Sequence, residues 1–493
     1  MNLGDSIRKG IKWLLVGSTG GQVLQFAFGI VLARLLVPAD FGMIVTVQIF
    51  TGFVAMFASG GMGQSLIRAK EVTEDDFSVV FVIQLAIGVL VYCAFFVASP
   101  WIAQYLENPL YSALLKVSAL NFILRPFSFV RIAWLNREMK FKERATVDLI
   151  ASALTGVTSI VLAAMGLGVW SLIWGGIAGT LVSIVMYTFA APVRVRFRYR
   201  AEIARRHSGF GLKITANDFL DYVRDESVNL MLSKLAGPAF LGLFNKASSL
   251  ARMPGRLVIP PTAQTVFRAL STVQDNPDST KYIFYRTITL LSVYLLPCLV
   301  GLWWVAEPFI TVVYGQTWAP AALPMSILLV GAAFRTINNP CGVLLAAQNR
   351  LSQELVGQVL GVAFTLVACF VALQWGMAGV AWALVASNVF YTVYNYALTY
   401  RTIRTTLADL GRAISPALLL NFALFGVLAA VHWLALDLRS TSAPLYLLIM
   451  VLAGALTYGV MFLFLPLTAL RGEAARWKHA ARRAAAALRA RLH

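Results

Sequence analysis

The sequence predicts an all-α integral membrane protein with about 14 transmembrane helices. We expect two six-helix lobes, followed by two further helices at the C-terminus. Composition, the placement of basic residues and an internal repeat predict this fold class. Of the 493 residues, 59% are apolar and 13% are charged, whereas soluble domains are about 45–50% apolar and about a quarter charged. Such a chain has too little polar surface to cover a water-exposed globule, so it must lie in a bilayer.

Segments of about 20 mostly apolar residues can each span a membrane as a helix. Fourteen such segments follow one another along the chain, of which the seventh and eighth are the least apolar; omitting both would leave twelve. The segments start near Ile11, Met43, Ser78, Leu110, Val147, Gly168, Gly211, Phe240, Phe284, Ala322, Leu355, Met377, Ile414 and Pro444.

The basic residues predict the orientation of the chain and account for much of its net charge of +19. With the N-terminus inside, the inner loops hold thirty Lys and Arg residues, and the outer loops hold only Arg439. This positive-inside bias predicts a multi-pass protein with both termini in the cytoplasm. A nucleic-acid partner is excluded, because such basic surfaces belong to water-soluble modules.

Two sequence pairs indicate an internal repeat of about 200 residues. LARLLVPADFG at Leu32–Gly42 matches LSKLAGPAFLG at Leu232–Gly242, and GLGVWSL near Gly166 matches GMAGVAWAL near Gly376. Each repeat would hold six helices, so the pseudo-two-fold axis lies along the membrane normal, as in alternating-access transporters.

The repeat and the charge pattern together predict five regions. They are an N-terminal lobe (1–192), a basic cytoplasmic linker (193–210), a C-terminal lobe (211–405), two additional helices (406–469) and a tail (470–493). The tail has seven basic residues on an alanine-rich stretch, which is typical of an amphipathic helix on an anionic leaflet. Docking of a cytosolic partner is the alternative.

Ten basic residues lie within the predicted spans. Five of them, Arg125, Arg224, Arg252, Arg256 and Arg335, fall at mid-depth. Each of these would cost about 2.5–3.5 kcal/mol facing lipid, so the five should face a protein or water-filled interior. A net cationic cavity suits a phosphate or pyrophosphate, which arginine binds with a planar fork of donors. The predicted substrate-binding residues are Arg125, Arg224, Lys246, Arg252, Arg256 and Arg335.

Arg34 and Lys234 occupy equivalent repeat positions at outer helix ends. We predict that they form an outer gate, with snorkelling to the interface as the alternative. On the seventh segment, Asp218, Asp221 and Asp225 share one helix face. These acids either neutralise nearby arginines or couple transport to H⁺ or Na⁺.

No catalytic, metal-binding or cofactor motif is evident. The outer loops are short, the four cysteines form no CxxC pair, and no Walker-type loop, GxSxG or HExxH occurs. We therefore expect a protein that is not an enzyme and that needs no metal or cofactor.

Five motifs in register resemble the Wzx-type flippases, the polysaccharide-transporter branch of the multidrug/oligosaccharidyl-lipid/polysaccharide (MOP) superfamily, to which the MATE transporters also belong. They are the stretch ending in LARLLVPADFG, GLGVWSLIWGGIAG, LAGPAFLGLFNKASSLARMP, VIPPTAQTVFRAL, and VVYGQTWAPA followed by PMSILL.

The resemblance implies that the protein flips polyprenyl-pyrophosphate-linked oligosaccharide units for exopolysaccharide or O-antigen synthesis. It would act in the bacterial inner membrane by alternating access coupled to H⁺ or Na⁺, and membrane lipids would surround it. A polysaccharide polymerase and chain-length proteins are candidate partners. Phe244 stands where family members often carry a tyrosine, so a hydroxyl contact is not transferred to it.

Three alternatives stay open at this point. A lipid II-type flippase shares the fold, but the single basic residue between Trp13 and Ile67, Arg34, weighs against it. A cation-coupled small-molecule exporter would have an acid-dominated cavity. A non-transporting scaffold of a polysaccharide-assembly complex would tolerate changes at the cavity arginines.

Overall fold

A computed structural model gives the fold of residues 3–59, 62–69, 71–465 and 467–492. Within these ranges, side chains are described except at 3–12, 14–16, 57–59, 208–221, 351, 440, 468, 480–481 and 484–492. The described chain is mostly helical and contains no β-strand, which confirms the all-α fold class.

Seventeen α-helices follow one another along the described chain. The first nine are α1 (Leu3–Leu35), α2 (Pro38–Ser59), α3 (Met62–Arg68), α4 (Glu74–Tyr105), α5 (Leu110–Arg137), α6 (Phe141–Ala164), α7 (Val169–Ala190), α8 (Ala201–Leu235) and α9 (Gly237–Thr272). The other eight are α10 (Pro277–Tyr314), α11 (Ala322–Ala347), α12 (Leu351–Ala372), α13 (Gly376–Ile403), α14 (Leu407–Leu434), α15 (Leu436–Thr441), α16 (Ala443–Phe464) and α17 (Arg471–Leu492). Short 3₁₀ helices cover Gln316–Ala321, Leu373–Trp375 and Thr468–Leu470.

The helices confirm a multi-pass membrane protein. Among the described residues, ten segments are long and apolar enough to cross a bilayer, and one of them, Ser352–Ile403, contains both α12 and α13. Each of the fourteen predicted segments falls in a separate long helix. The count of fourteen crossings stays a prediction, because α1, α8 and α9 are helical but are not among those ten segments.

Local sequence signals set several helix boundaries. Thr73 with Asp76 starts α4 and Thr406 with Asp409 starts α14, each pair forming a capping box that satisfies backbone N–H groups of the first turn. Asn276 caps α10 in front of a proline at the first helical position. Gly237, the first residue of α9, has a φ of 81°, a value that glycine adopts without strain.

The chain divides into two compact units, residues 1–245 and 246–493, and the division falls within α9. In the first unit, α4 packs on α5, α6 packs on α7 and α1, and α8 packs on α2, α3 and α4. A buried apolar cluster around Leu114, Leu115 and Val47 forms part of its core. The lobe and linker boundaries predicted from the repeat stay a prediction.

In the second unit, α10 packs on α11, α14 and α16, and α13 packs on α11 and α12. Its core has one cluster around Phe284, Cys341 and Leu344 and two more where α14 and α16 meet α10. The two helices that the sequence leaves outside the repeat, α14 and α16, therefore belong to the core of this unit.

Candidate functional site

The repeated segments LARLLVPADFG and LSKLAGPAFLG meet in the first unit, where the first turns of α2 and α9 cross. A methyl group on Gly42 would lie 1.7 Å from the carbonyl oxygen of Pro238, and one on Gly242 would lie 1.9 Å from that of Pro38. The contact is therefore self-complementary, as a two-fold relation requires. Only glycine permits this approach, which gives the repeat a structural reason.

Lys234, one of the two predicted outer-gate residues, is held at the turn between α4 and α5. Its Nζ lies 2.5 Å from Oε1 of Glu107 and 5.1 Å from the ring centroid of Tyr105. The hydrogen bond from Lys234, together with its charge, lowers the pKa of the Glu107 carboxyl. Arg34, the second predicted gate residue, is exposed in the last turn of α1.

The charged stretch of α8 is only partly described. The guanidinium Nε of Arg224 lies 3.2 Å from Oδ1 of Asp225, and both side chains are partly exposed. The next turn has a hydrogen bond of 2.8 Å from Asn229 to Glu226. Asp218 and Asp221 lie outside the residues whose side chains the structure describes, so the predicted ion-coupling stripe stays a prediction.

Tyr222 attaches this stretch of α8 to α2. Its hydroxyl donates to the carbonyl of Ile49, and Gly52 leaves room for the ring, since a methyl group there would lie 2.9 Å from the tyrosine oxygen. The helix that carries Arg224 and Asp225 is thus fixed to a neighbouring helix next to the charged pair.

Of the other predicted substrate-binding residues, Arg125 lies on α5, Arg256 on α9 and Arg335 on α11, and all three are exposed. Within the described part of the chain, Arg125 and Arg256 have no side-chain hydrogen bond or ion pair. Arg252 is half-buried on α9. The structure thus leaves guanidinium groups on accessible helix faces at the predicted mid-depth of the membrane.

Lys246 is in a different environment from the arginines. Its Nζ lies 4.7 Å from the ring centroid of Tyr314 and 5.2 Å from that of Trp318. A cation over aromatic faces gains about 0.5–2 kcal/mol. This contact explains the buried aromatic residues of the VVYGQTWAPA motif and gives Lys246 a structural partner in addition to its predicted role.

The second unit contains an apolar cavity of about 630 Å³ between α10, α14 and α16. Its wall is made of leucine, valine and methionine side chains together with Gly301, Gly454 and Gly459. Trp477 of α17 also lines it, and its indole N–H donates to the Tyr294 hydroxyl over 3.0 Å. The sequence did not indicate this cavity, because an apolar wall has the same composition as a lipid-facing helix.

The tail helix α17 is anchored to α10 by a small polar cluster. Arg286 donates to Oε1 of Glu473 at 3.0 Å and to the backbone carbonyl of Ala469 at 2.6 Å. Arg476 lies 3.1 Å from the same Glu473 oxygen. The start of the predicted amphipathic tail therefore packs against α10 and belongs to the second unit.

Comparison with known proteins decides the family. The model of a family described as "Polysaccharide biosynthesis protein" matches residues 31–324, more than half of the chain. The chain belongs to this family. The match confirms the resemblance carried by the five sequence motifs.

Relatives in the family share low identity over most of their length. The lipopolysaccharide biosynthesis protein WzxC of Escherichia coli is 24% identical over 404 residues, which cover 80% of this chain and 81% of that protein. The succinoglycan biosynthesis transport protein ExoT of Rhizobium meliloti is 23% identical over 351 residues, or 71% of this chain and 70% of that protein.

Among solved structures, the lipid II flippase MurJ in an inward closed conformation has a similar fold. The TM-score is 0.69 at 14% sequence identity, and the match covers 91% of this chain and 97% of MurJ. At this identity the likeness shows the fold alone, which is that of an all-α membrane transporter.

Proposed function

We propose that this protein is a flippase that moves polyprenyl-pyrophosphate-linked oligosaccharide units across the bacterial inner membrane. The units would serve exopolysaccharide or O-antigen synthesis, and the protein would work by alternating access without catalysing a reaction. The observation that carries the proposal is the set of exposed arginines, Arg125, Arg256 and Arg335, on helices of a protein whose relatives act in polysaccharide biosynthesis.

The energetic argument concerns where these arginines can point. Each would cost about 2.5–3.5 kcal/mol if it faced hydrocarbon at mid-depth, so three of them would cost about 8–10 kcal/mol. That is comparable with the whole stability of a typical domain. A water-filled passage that admits an anion removes this cost, and the pyrophosphate of a lipid-linked sugar is such an anion.

The apolar cavity of the second unit is an argument that the substrate has a lipid part. A polyprenyl chain is a long hydrocarbon, and each buried CH₂ of such a chain gains about 0.8 kcal/mol. The cavity has the apolar wall that an isoprenoid segment needs, and it is formed by α14 and α16, the helices outside the repeat. We propose that these two helices hold the tail of the substrate while the headgroup crosses.

An export assay with matched arginines tests the proposal. Arg256→Gln and Arg335→Gln remove the charge and leave a shorter, polar side chain, and each should reduce polysaccharide export in a strain that depends on this protein. Arg268→Gln is the control, because Arg268 is an exposed arginine on the same helix as Arg256 but lies in a predicted inner loop. Unchanged export in both Arg256→Gln and Arg335→Gln would contradict the proposal and favour a scaffold role.

A further inference from the structure

A buried polar cluster joins the start of α8 to α3 and α4, away from the residues discussed above. Nδ1 of His207 lies 2.7 Å from the hydroxyl of Ser65, and its Nε2 lies 3.1 Å from Oδ1 of Asp76. His207 is 0% exposed and Asp76 is 3% exposed. These groups are 142 and 131 residues apart along the chain, so only the fold brings them together.

The hydrogen bonds around Asp76 favour its ionised form. Its Oδ2 accepts from the backbone N–H of Thr73 at 2.8 Å and from the Thr73 hydroxyl at 2.7 Å. Its Oδ1 faces His207, and the guanidinium of Arg206 lies 3.6 Å away from that oxygen. Three donors and one partly exposed cation therefore surround a buried carboxylate.

The cluster can hold one proton more or fewer without breaking a hydrogen bond. With His207 neutral, Nε2–H donates to Asp76 and Nδ1 accepts from the Ser65 hydroxyl. With His207 protonated, both ring nitrogens donate, and the Ser65 oxygen accepts, since a hydroxyl can rotate between the two roles. In the protonated state the imidazolium also pairs with the carboxylate. Because His207 is fully buried, the ligand that suits this site is a proton.

The surrounding charges lie on the same few elements. Asp75 of α4 pairs with Arg198 and Arg200 of the extended segment before α8, at 3.5 and 3.0 Å. From α5, Arg137 donates to the carbonyls of Leu66 and Ala69, which fixes α3. The remaining charged side chains on α3, α4 and residues 201–207 of α8 are Arg68, Glu74, Glu202 and Arg205, which are exposed.

We propose that Ser65, His207 and Asp76 form a proton-binding site whose occupancy sets how firmly α8 is held against α3 and α4. In the protonated state the imidazolium and the buried carboxylate attract each other and hold α8 tightly. Loss of the proton removes this attraction, leaves Asp76 with its hydrogen bonds and the exposed Arg206, and loosens α8. Since α8 also carries Arg224 and Asp225, proton binding here would bias the helix that carries part of the predicted site. This last consequence rests on the proposed function; the site itself does not.

The test uses the full-length protein in lipid nanodiscs, with protons as the only added ligand. The chain has four histidines, so histidine-selective isotope labelling gives few NMR signals, and His207→Gln assigns the relevant one. We expect the His207 signal to change reversibly with pH as the ring gains and loses its proton. A spin label at the exposed position 205 should become more mobile as the proton leaves, with the same midpoint.

Variants separate a proton site from a merely structural contact. Asp76→Asn keeps the side-chain size and removes the charge that faces the imidazolium, so the midpoint should move to lower pH. If Asp76→Asn does not fold, Ser65→Ala is the second test. It removes the hydroxyl partner of His207 Nδ1 and should also shift the midpoint of the His207 signal. His432→Gln is the control, since His432 is another histidine bound to a hydroxyl, that of Tyr446 at 2.8 Å, on α14.

A His207 signal that does not change with pH would overturn the proposal, and so would a titration that leaves the spin label unaffected. Both measurements are independent of transport. Their failure would leave the proposed flippase function standing, whereas loss of that function is measured by export in the arginine variants.

Discussion

The crossing of α2 and α9 at two glycines gives a prediction whose size can be worked from the structure. In Gly42→Ala the new methyl group would lie 1.7 Å from the Pro238 carbonyl oxygen, where real contacts are essentially never shorter than 3.0 Å. The helices must therefore separate by more than about 1 Å in a close-packed region. Overpacking of this kind costs about 1–3 kcal/mol.

A cost of about 1–3 kcal/mol changes an equilibrium by about 5–150-fold. If the crossing belongs to one state of the transport cycle, Gly42→Ala should depopulate that state by this factor and reduce export. Gly242→Ala should do the same, because its methyl group would meet the Pro38 carbonyl at 1.9 Å.

The assay compares thermal unfolding of the purified protein and polysaccharide export across the two variants and a control. Gly29→Ala is the matched control, since Gly29 lies on α1 with no atom within 4 Å of the added methyl group. Both crossing variants should unfold at lower temperature than the control. Equal unfolding temperatures and equal export for Gly42→Ala and Gly29→Ala would refute the reasoning.

Three further predictions follow from other contacts. Because Lys234 lowers the pKa of Glu107, the pair should stabilise the protein above the ordinary glutamate value of about 4.3, and the effect should disappear as the pH falls through the lowered value. Melting curves from pH 7 to 3 should therefore converge for wild type and Glu107→Gln, and a constant difference would contradict this. Gly459→Leu should fill the apolar cavity and reduce export with little change in stability. Gly426→Leu, on the exposed face of α14, should leave export unchanged. Export and unfolding temperature are measured for both variants. Trp477→Ala should release the tail helix α17 from Tyr294, which limited proteolysis of α17 would detect as faster cleavage than in Arg482→Ala, a change at an exposed position of the same helix.

The sequence was sufficient to predict the helices, because hydropathy over about 20 residues depends only on local composition. The predicted segments are shorter than the observed helices where the helix extends beyond the apolar stretch. The segment predicted near Gly211, for example, belongs to a helix that begins at Ala201. The repeat predicted that Gly42 and Gly242 are equivalent positions, but it did not predict that they meet, which the structure shows.

The partners of individual charges could not be predicted, because they depend on contacts between distant parts of the chain. Lys234 was recognised as a residue at a helix end, but its partner Glu107 lies 127 residues away. His207 has no sequence neighbour that marks it as part of a cluster. The apolar cavity is a matter of shape, and three helices with ordinary apolar composition form it only through the positions of glycines such as Gly454 and Gly459.

The central claim is that this chain moves a lipid-linked oligosaccharide across a bilayer. The most direct test reconstitutes the purified protein in vesicles that contain a polyprenyl-pyrophosphate oligosaccharide, and measures how much of it becomes accessible to an impermeant enzyme or lectin on the opposite side. We predict accessibility that rises with time for the wild type and for Arg268→Gln, and much more slowly for Arg256→Gln and Arg335→Gln. Accessibility no faster than in protein-free vesicles, or equal rates for all four proteins, would contradict the account.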